Sequence, residues 1–146
     1  MKAEKTRRHI LEKAAPLFNA RGFDGTSLTD LEQATGLTKG ALYGNFTDKE
    51  TLAAEAFAYA IKQVKAKISG CLQSHTTYRE KFSALLDFFA QYVLDPPVPG
   101  GCPLMNAAVE ADDHRTHMRP VIAAEITKMV GGIATLLQKG IDAGEF

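Results

Sequence analysis

Apolar residues recur at helical spacing along this chain, and no segment shows the strict alternation of a half-buried strand. Near the N-terminus, an apolar stripe repeats every three to four residues and consists of Ile10, Leu11, Ala14, Leu17 and Phe18. Such a stripe covers one face of an amphipathic helix. Gly22 follows as a helix-ending glycine, with Phe23 placed to fold back on the last turn. The pattern therefore predicts a first helix that ends near residue 21.

The segment 27–46 predicts two short helices joined by a glycine turn. Ser27 is the predicted N-cap of the first of them, with Asp30 as its capping-box partner. Gly36 supplies the turn, because glycine enters a left-handed conformation without a Cβ clash. Thr38 is the predicted N-cap of the next helix. Two helices around such a turn form a helix-turn-helix, a DNA-binding unit whose second helix enters the major groove.

The outer face of this second helix is polar, small and aromatic, whereas Leu42 and Phe46 point inward. Lys39 lies at its start, and Lys49 lies in the first turn of the following helix, for which residues 47–50 form a T-x-x-E capping box. A cation is disfavoured at a helix N-terminus unless an anion is bound there. Each lysine taken alone is compatible with a solvated surface charge, but the pair around one exposed helix indicates phosphate binding.

The rest of the chain is also predicted to be helical, so the fold class is all-α. The pattern indicates a long fourth helix from residue 50, a fifth over 82–93, a short helix over 104–110 and a long last one over 122–141. The polar segment 73–78 and the proline-rich segment 95–101 separate them. With 146 residues, of which 45% are hydrophobic, the chain can form a small head that shares a helix with a larger body.

Charge and composition restrict the kind of binding that is expected. Seventeen basic and seventeen acidic residues give a formal net charge of zero, so DNA contact must be local. A cluster of Lys2, Lys5, Arg7 and Arg8 precedes the first helix, and it is expected either to reach an adjacent phosphate or to be solvated. We expect no apolar run long enough to span a bilayer and no signal peptide, hence a cytoplasmic protein without a membrane partner.

Residues 3–62 resemble the DNA-binding domain of the TetR family of bacterial transcriptional repressors. The resemblance is carried by RRHILEKAAPLFNARGFDGTSLTDLEQATGLTKGALYGNFTDKETL, and above all by its L-Y-x-x-F-x-x-K-E frame. It implies base-edge contacts from Lys39 and Gly40, and contacts to the DNA backbone from Thr29, Thr38, Tyr43, Asn45 and Lys49. Gly44 and Asn45 depart from the family pattern, which more often has an aromatic residue or histidine in this pair, so either fewer phosphate contacts or a different base preference is expected.

The same resemblance implies two domains: residues 1–62 as a three-helix DNA-binding head, and residues 63–146 as a helical body for ligand sensing and dimerisation. The implied partners are double-stranded operator DNA, a second copy of the chain and a small hydrophobic or electrophilic inducer. The final residues, DAGEF, stop where family members usually continue through two further helices. Either the chain is cut short or those helices are absent from it.

Several aromatic and methionine side chains of the body could line a ligand pocket, although such residues at helical spacing more often form core. The candidates are Phe57, Phe82, Phe89, Tyr92, Met105 and Met129. Cys102 lies in P-G-G-C-P-L-M-N, which resembles a branch of the family that includes the N-ethylmaleimide-responsive repressor, where a cysteine in this position senses electrophiles and oxidants. A helix N-terminus activates a thiol, but a free cysteine is also commonly an inert buried residue, as we expect for Cys71.

Two other classes of protein are alternatives to a DNA-binding regulator. An enzyme lacks support, since there is no G-x-S-x-G, no glycine-rich phosphate loop and no C-x-x-C, and no cofactor is expected. The acidic stretch 110–117, with His114 and His117, is compatible with a metal site but better explained as a solvated linker. A helical interaction module without DNA binding is the other alternative, and it predicts that Lys39 and Lys49 have no role. The preferred interpretation is a repressor that a ligand or thiol modification releases from a palindromic operator.

Overall fold

The computed structural model describes residues 2–146, with side chains from residue 3 onward, so the side chain of Lys2 lies outside the described part. The described residues form seven α-helices and one 3-10 turn and contain no strand, which confirms the all-α prediction. The helices are α1 (Lys2–Arg21), α2 (Leu28–Thr35), α3 (Lys39–Tyr43), α4 (Lys49–Gln73), α5 (Tyr78–Gln91), α6 (Pro103–Asp113) and α7 (Arg119–Asp142). The 3-10 turn, Thr116–Met118, joins α6 to α7.

The first three helices and the start of α4 share one apolar core. Its fully buried members include Ile10, Leu31, Leu42, Phe46 and Leu52, each at most 2% exposed. The rest of the predicted α1 stripe packs against this core: Ala14 is buried, and Leu11, Leu17 and Phe18 are partly buried. The core therefore holds α3 by its inward-facing side chains and leaves the opposite face of this helix exposed to solvent.

The predicted caps of the helix-turn-helix are confirmed. The Ser27 side chain accepts from the backbone N–H of Asp30, whose carboxylate in turn accepts from the Ser27 N–H at 2.8 Å. Gly36 ends α2 at φ +69°, in the left-handed region that favours glycine. The Thr38 hydroxyl accepts from the N–H of Ala41 at 3.3 Å and caps α3.

The capping box predicted over residues 47–50 is wrong. Asp48 is the N-cap of α4, and its carboxylate accepts from the Thr51 N–H at 2.7 Å. The Glu50 carboxylate binds Arg115 and His117 instead, so it is not available to cap the helix. The partner of Glu50 thus lies 65 positions away in the sequence, a contact that the local sequence does not reveal.

Helix α4 connects the two parts of the molecule. Its N-terminal half packs on α1, and its C-terminal half packs on α5, so the helix runs through residue 62 without a break. The body continues with α5, which packs against α4 and α7, and with α6, which contacts α1, α4 and α7. Helix α4 thus belongs both to the core that supports α3 and to the packing of the body.

Helix α7 has an apolar face that is only partly covered. Ile122 is 4% exposed, but Val121, Ile126, Met129 and Val130 are between 40% and 57% exposed. The segment Thr116–Asp142 is long and apolar enough, by length and composition, to cross a membrane, so the expectation that no such run exists is wrong. It nevertheless packs along α5 and α6, which is the placement of an amphipathic bundle helix.

Candidate nucleic-acid interface

Helix α3 presents its N-terminal residues to solvent. Lys39 and Gly40 are exposed, and a Cβ placed on Gly40 would have only the Thr38 hydroxyl oxygen near it, at 4.0 Å. The inward side chain of this helix, Leu42, is 0% exposed. The helix therefore offers a rigid, small and basic edge that a duplex can approach closely.

Glu32 is a neighbour of this edge that sequence reasoning missed. Its carboxylate accepts a hydrogen bond from the backbone N–H of Lys39 at 2.6 Å and links α2 to α3. The spacing of seven residues across the Gly36 turn could have indicated this contact. A carboxylate thus binds the first free N–H of the predicted recognition helix.

The other residues predicted to contact the DNA backbone lie around the N-terminal edge of α3 and differ in how far they are buried. Thr29 is exposed in the first turn of α2, and Tyr43 is half-buried at the end of α3. The side-chain amide of Asn45 donates to the carbonyl of Ala41 at 2.9 Å, and the backbone carbonyl of Asn45 accepts from Arg7. Asn45 therefore closes the last turn of α3 rather than standing free.

Lys49 is half-buried and already bound within the protein. Its ammonium donates to the carbonyl of Phe23 at 2.7 Å and lies 4.2 Å from the centre of the Phe23 ring. The predicted phosphate lysine is thus held at the start of α4 by the loop that follows α1. Its position depends on Phe23, a residue that the sequence assigned only to helix termination.

Arg7 has a structural role that its place in a basic N-terminal cluster does not reveal. Its guanidinium donates to the Asn45 carbonyl and to Glu55, and it lies 4.2 Å from the centre of the Phe46 ring. Arg8 pairs with Glu12 one helical turn away at 3.4 Å. These two members of the cluster are therefore engaged on the protein surface.

The comparisons with known proteins agree with this geometry. Residues 10–56 match the family described as bacterial regulatory proteins, tetR family, and residues 79–146 match the tetracyclin repressor-like C-terminal domain. A TetR-family transcriptional regulator from Cytophaga hutchinsonii is 41% identical, with a TM-score of 0.89 over 100% of this chain and 73% of that one. The chain belongs to the TetR family.

An HTH-type transcriptional regulator of Mycobacterium tuberculosis is 34% identical over 120 residues, which are 80% of this chain and 60% of that relative. This TetR-family chain thus spans 60% of the length of that curated relative. CifR, solved as a cysteine mutant with 26-bp double-strand operator DNA, is 26% identical with a TM-score of 0.77 over 94% of this chain and 72% of its own. Reduced NemR of E. coli has the same fold, with a TM-score of 0.80, 23% identity and coverage of 95% and 72%.

Phe23 also joins the TetR-type head to the body. The Glu110 carboxylate on α6 accepts from the Phe23 N–H at 2.7 Å, and the guanidinium of Arg115 lies 4.4 Å from the ring. Arg115 binds Glu50 at the start of α4, and His117 lies 2.8 Å from the same carboxylate. Burial disfavours the charged form of Glu50 and so raises its pKa. The hydrogen bonds from Arg115 and His117 outweigh this effect, so the pKa of Glu50 is lowered.

The stretch 110–117 is therefore not the solvated linker that the sequence suggested. Its first four residues complete α6, where Glu110 binds the Phe23 N–H, and Arg115 and His117, which follow α6, bind Glu50 at the start of α4. Among the described residues, no three His, Cys, Asp or Glu side chains are grouped to hold a metal ion.

The loop before α6 approaches α1 closely. Gly100, at φ +101°, passes so near Ala20 that a Cβ would lie 2.7 Å from the Ala20 backbone. The Asn106 side chain on α6 donates to the Asn19 carbonyl at 2.9 Å and to the Gly100 carbonyl at 3.0 Å. Asn19 donates in turn to the carbonyl of Pro99 at 2.9 Å. Sequence reasoning missed both asparagines, because the contacts that join them to each other and Asn19 to Pro99 span 80 or more residues.

A cavity of about 590 Å³ lies between α4, α5 and α7. Three of the predicted pocket residues, Phe89, Tyr92 and Met129, line it. Phe57 instead lines smaller cavities near α1, α6 and α7, Phe82 packs against Phe146 with ring centres 6.1 Å apart, and Met105 is 66% exposed. The helical pattern alone did not distinguish the cavity-lining face from the other faces of the body.

Cys102 also lines this cavity, at the N-cap of α6. It is a free, half-buried cysteine, as is Cys71, whose thiol faces the carbonyl of Ala84 at 3.7 Å. The Tyr92 hydroxyl is buried and lacks a partner with hydrogen-bond geometry among the described residues. Burial, together with the neighbouring Cys102, raises the pKa of Tyr92 to about 12, so its hydroxyl stays protonated and can donate.

Proposed function

We propose that this chain is a DNA-binding transcriptional regulator of the repressor type. The observation that carries the proposal is the exposed N-terminal edge of α3, capped by Thr38 and held by the buried Leu42. Its family supports the same conclusion, as does CifR, whose structure contains operator DNA. The proposed location is the cytoplasm.

The proposed contacts follow from the placement of each side chain. Lys39 and Gly40 read base edges, because they lie at the open end of α3. The contacts to phosphate and sugar come from Thr29, Thr38, Tyr43, Asn45 and Lys49. A phosphate at Lys49 replaces the Phe23 carbonyl as its partner, so binding exchanges an internal contact for an external one.

The division of labour is also a proposal. Residues 1–62 act as the DNA-binding head and residues 63–146 as the sensing and dimerisation body, with α4 shared between them. The exposed apolar residues of α5 and α7 support a second copy of the chain as the partner of the body. A dimer would place two heads on a palindromic operator.

The signal is proposed to act in the cavity between α4, α5 and α7. A small hydrophobic ligand bound there, or modification of Cys102, would displace α6 from its contacts with Asn19 and Phe23. Since α6 holds the loop that binds Lys49, this displacement would change the spacing of the heads.

A helical interaction module is the second candidate, and one observation favours it: Val93 and Leu94 beyond α5 are each 87% exposed. Selection of bound sequences from random double-stranded DNA distinguishes the two functions. The proposal expects enrichment of a palindrome, and Lys39→Ala should abolish that enrichment, whereas Lys67→Ala, an exposed α4 lysine, should not. Absence of any enriched sequence would support the interaction module.

A further inference from the structure

The cavity between α4, α5 and α7 is elongated, and its two ends differ in chemistry. One end contains Cys102 and Tyr92, and the other contains Tyr78 and Lys81, at the opposite end of α5. Lys81 and Tyr92 are eleven residues apart, which corresponds to about 16 Å along a helix. Apolar side chains from α4, α5 and α7 line the space between them.

The inner end offers a hydrogen-bond donor without a partner. Tyr92 is 8% exposed, and its ring packs against Phe88 and Phe89, with ring centres 5.5 Å and 6.2 Å away. Its hydroxyl makes no hydrogen bond of ordinary geometry among the described residues, and the neighbouring Cys102 thiol beside it is only a weak acceptor. A buried polar group without a partner is costly, so the site favours a ligand that carries an acceptor such as a carbonyl oxygen.

The outer end carries positive charge that is not neutralised. Glu125, the acidic residue in the lining, pairs with Lys65 and with Lys128. Lys81 lies 5.2 Å from the centre of the Tyr78 ring and has no ion-pair partner among the described residues, nor has Lys139. Lys139 lies at this same end, because the adjoining Gly140 packs against the Cβ of Tyr78. This end therefore favours an anionic group.

We propose that the cavity binds an elongated amphipathic carboxylate whose carbonyl group accepts a hydrogen bond from the Tyr92 hydroxyl while its carboxylate lies at Lys81 and Lys139. The apolar middle covers the hydrocarbon chain, and the two polar ends set its orientation and length. Cys102 borders the carbonyl end, so the thiol and the ligand compete for the same space. This ligand class rests on the proposed role of the cavity as the inducer site.

Calorimetry with the full chain, in the absence of DNA, tests the ligand class with three related probes. Decanoate has the anion alone, methyl octyl ketone has the carbonyl alone, and an oxodecanoate with its ketone beside the terminal methyl group has both. We expect the oxodecanoate to bind about fivefold more tightly than either of the other two, as one hydrogen bond or one exposed ion pair allows.

Two variants test which end of the cavity binds the carbonyl group and which binds the carboxylate. Tyr92→Phe should reduce the affinity for oxodecanoate to that for decanoate and leave decanoate binding unchanged, which also shows that the cavity is intact. The double variant Lys81→Met, Lys139→Met should weaken the binding of decanoate and oxodecanoate and leave the binding of the ketone unchanged. The control Lys67→Met, on an exposed face of α4, should leave the binding of all three probes unchanged.

Equal affinity for the three probes, or an oxodecanoate preference that survives in Tyr92→Phe, would overturn the assignment. Because no DNA is present, these results do not depend on operator binding. A failure of the proposed regulator function would instead appear as the absence of a selected DNA sequence.

Discussion

Phe23 links the proposed DNA-binding face to the body through its ring and its backbone. The Lys49 ammonium lies 4.2 Å from the ring centre and the Arg115 guanidinium lies 4.4 Å from it, while the backbone of Phe23 binds Lys49 and Glu110. Cation–π contacts of this kind contribute about 0.5–1 kcal/mol at exposed sites and more when desolvated. A residue that the sequence assigned to helix termination thus determines the position of a proposed phosphate contact.

Lys39→Ala and Lys49→Ala should weaken DNA binding in different ways. Lys39→Ala should cost about 1–3 kcal/mol on the selected operator and little on unrelated DNA, because it reads a base. Lys49→Ala should weaken all sequences similarly and reduce the salt slope by about one, because it contacts phosphate. Gel shifts over a salt series measure both effects, with Lys67→Ala as the matched exposed lysine. Unchanged affinity in both variants would refute the assignment.

Helix starts and ends could be predicted where the capping partner lies within three residues. The Ser27–Asp30 box has this spacing, and Gly36 ends α2 as its sequence indicates. The N-cap of α4, Asp48, also has a partner three residues on, Thr51, but the T-x-x-E match of residues 47–50 pointed to a different cap. The binding of Glu50 by Arg115 could not be predicted from local sequence. Local rules thus gave most of the helical layout and missed the contacts that join the head to the body.

The capping box of α5 predicts a pH dependence of stability. Hydrogen bonds from the backbone and side chain of Thr77 lower the pKa of Glu80 below its usual 4.5. A lowered folded-state pKa stabilises the fold above the unfolded value, and this stabilisation is lost as the pH falls through the folded value. The loss should therefore begin near pH 4.5 and be smaller in Glu80→Gln. Urea unfolding at pH 7 and at pH 3 measures it, and an identical pH effect in both proteins would contradict the prediction.

Two glycines should respond oppositely to alanine. Gly22, at φ +73°, ends α1, and a Cβ there would clash with the Glu110 carboxylate, so Gly22→Ala should destabilise the fold by about 1–3 kcal/mol. Gly70 is exposed inside α4 with open space around it, so Gly70→Ala should stabilise by about 0.5–1 kcal/mol. Denaturant midpoints measure both changes. A tolerated Gly22→Ala would show that the α1–α6 contact is not as tight as described.

Over the whole molecule, the body is joined to the proposed DNA-binding face twice, through α4 and through the contacts of α6 with α1. The sequence predicted a helical body, but only three of its six candidate pocket residues, Phe89, Tyr92 and Met129, line the cavity. Which face of an amphipathic helix meets another depends on packing between distant segments, so Phe82 and Met105 could not be separated from Phe89 and Tyr92 by spacing alone. The cavity site and its link to Phe23 appear only in three dimensions.

Alkylation of Cys102 should release the protein from DNA. A bulky adduct at the N-cap of α6 has to enter the cavity or displace the helix, and α6 carries the contacts to Asn19 and Phe23. Operator affinity is measured before and after treatment with N-ethylmaleimide. The treatment should lower the affinity of the native protein and leave that of Cys102→Ser unchanged. Equal loss in both would assign the effect to Cys71 or to another group, and equal persistence would make Cys102 an inert cysteine.

The most direct test of the central claim is titration of the purified protein onto its selected DNA, with sedimentation to count the copies bound. The account predicts that two copies bind one palindrome whose half-site centres lie about 34–36 Å apart, or a multiple of this. It also predicts that an isolated half-site binds far more weakly and that Lys39→Ala reduces the preference over scrambled DNA. Equal affinity of the native protein for palindrome and scrambled DNA at physiological salt would contradict the account.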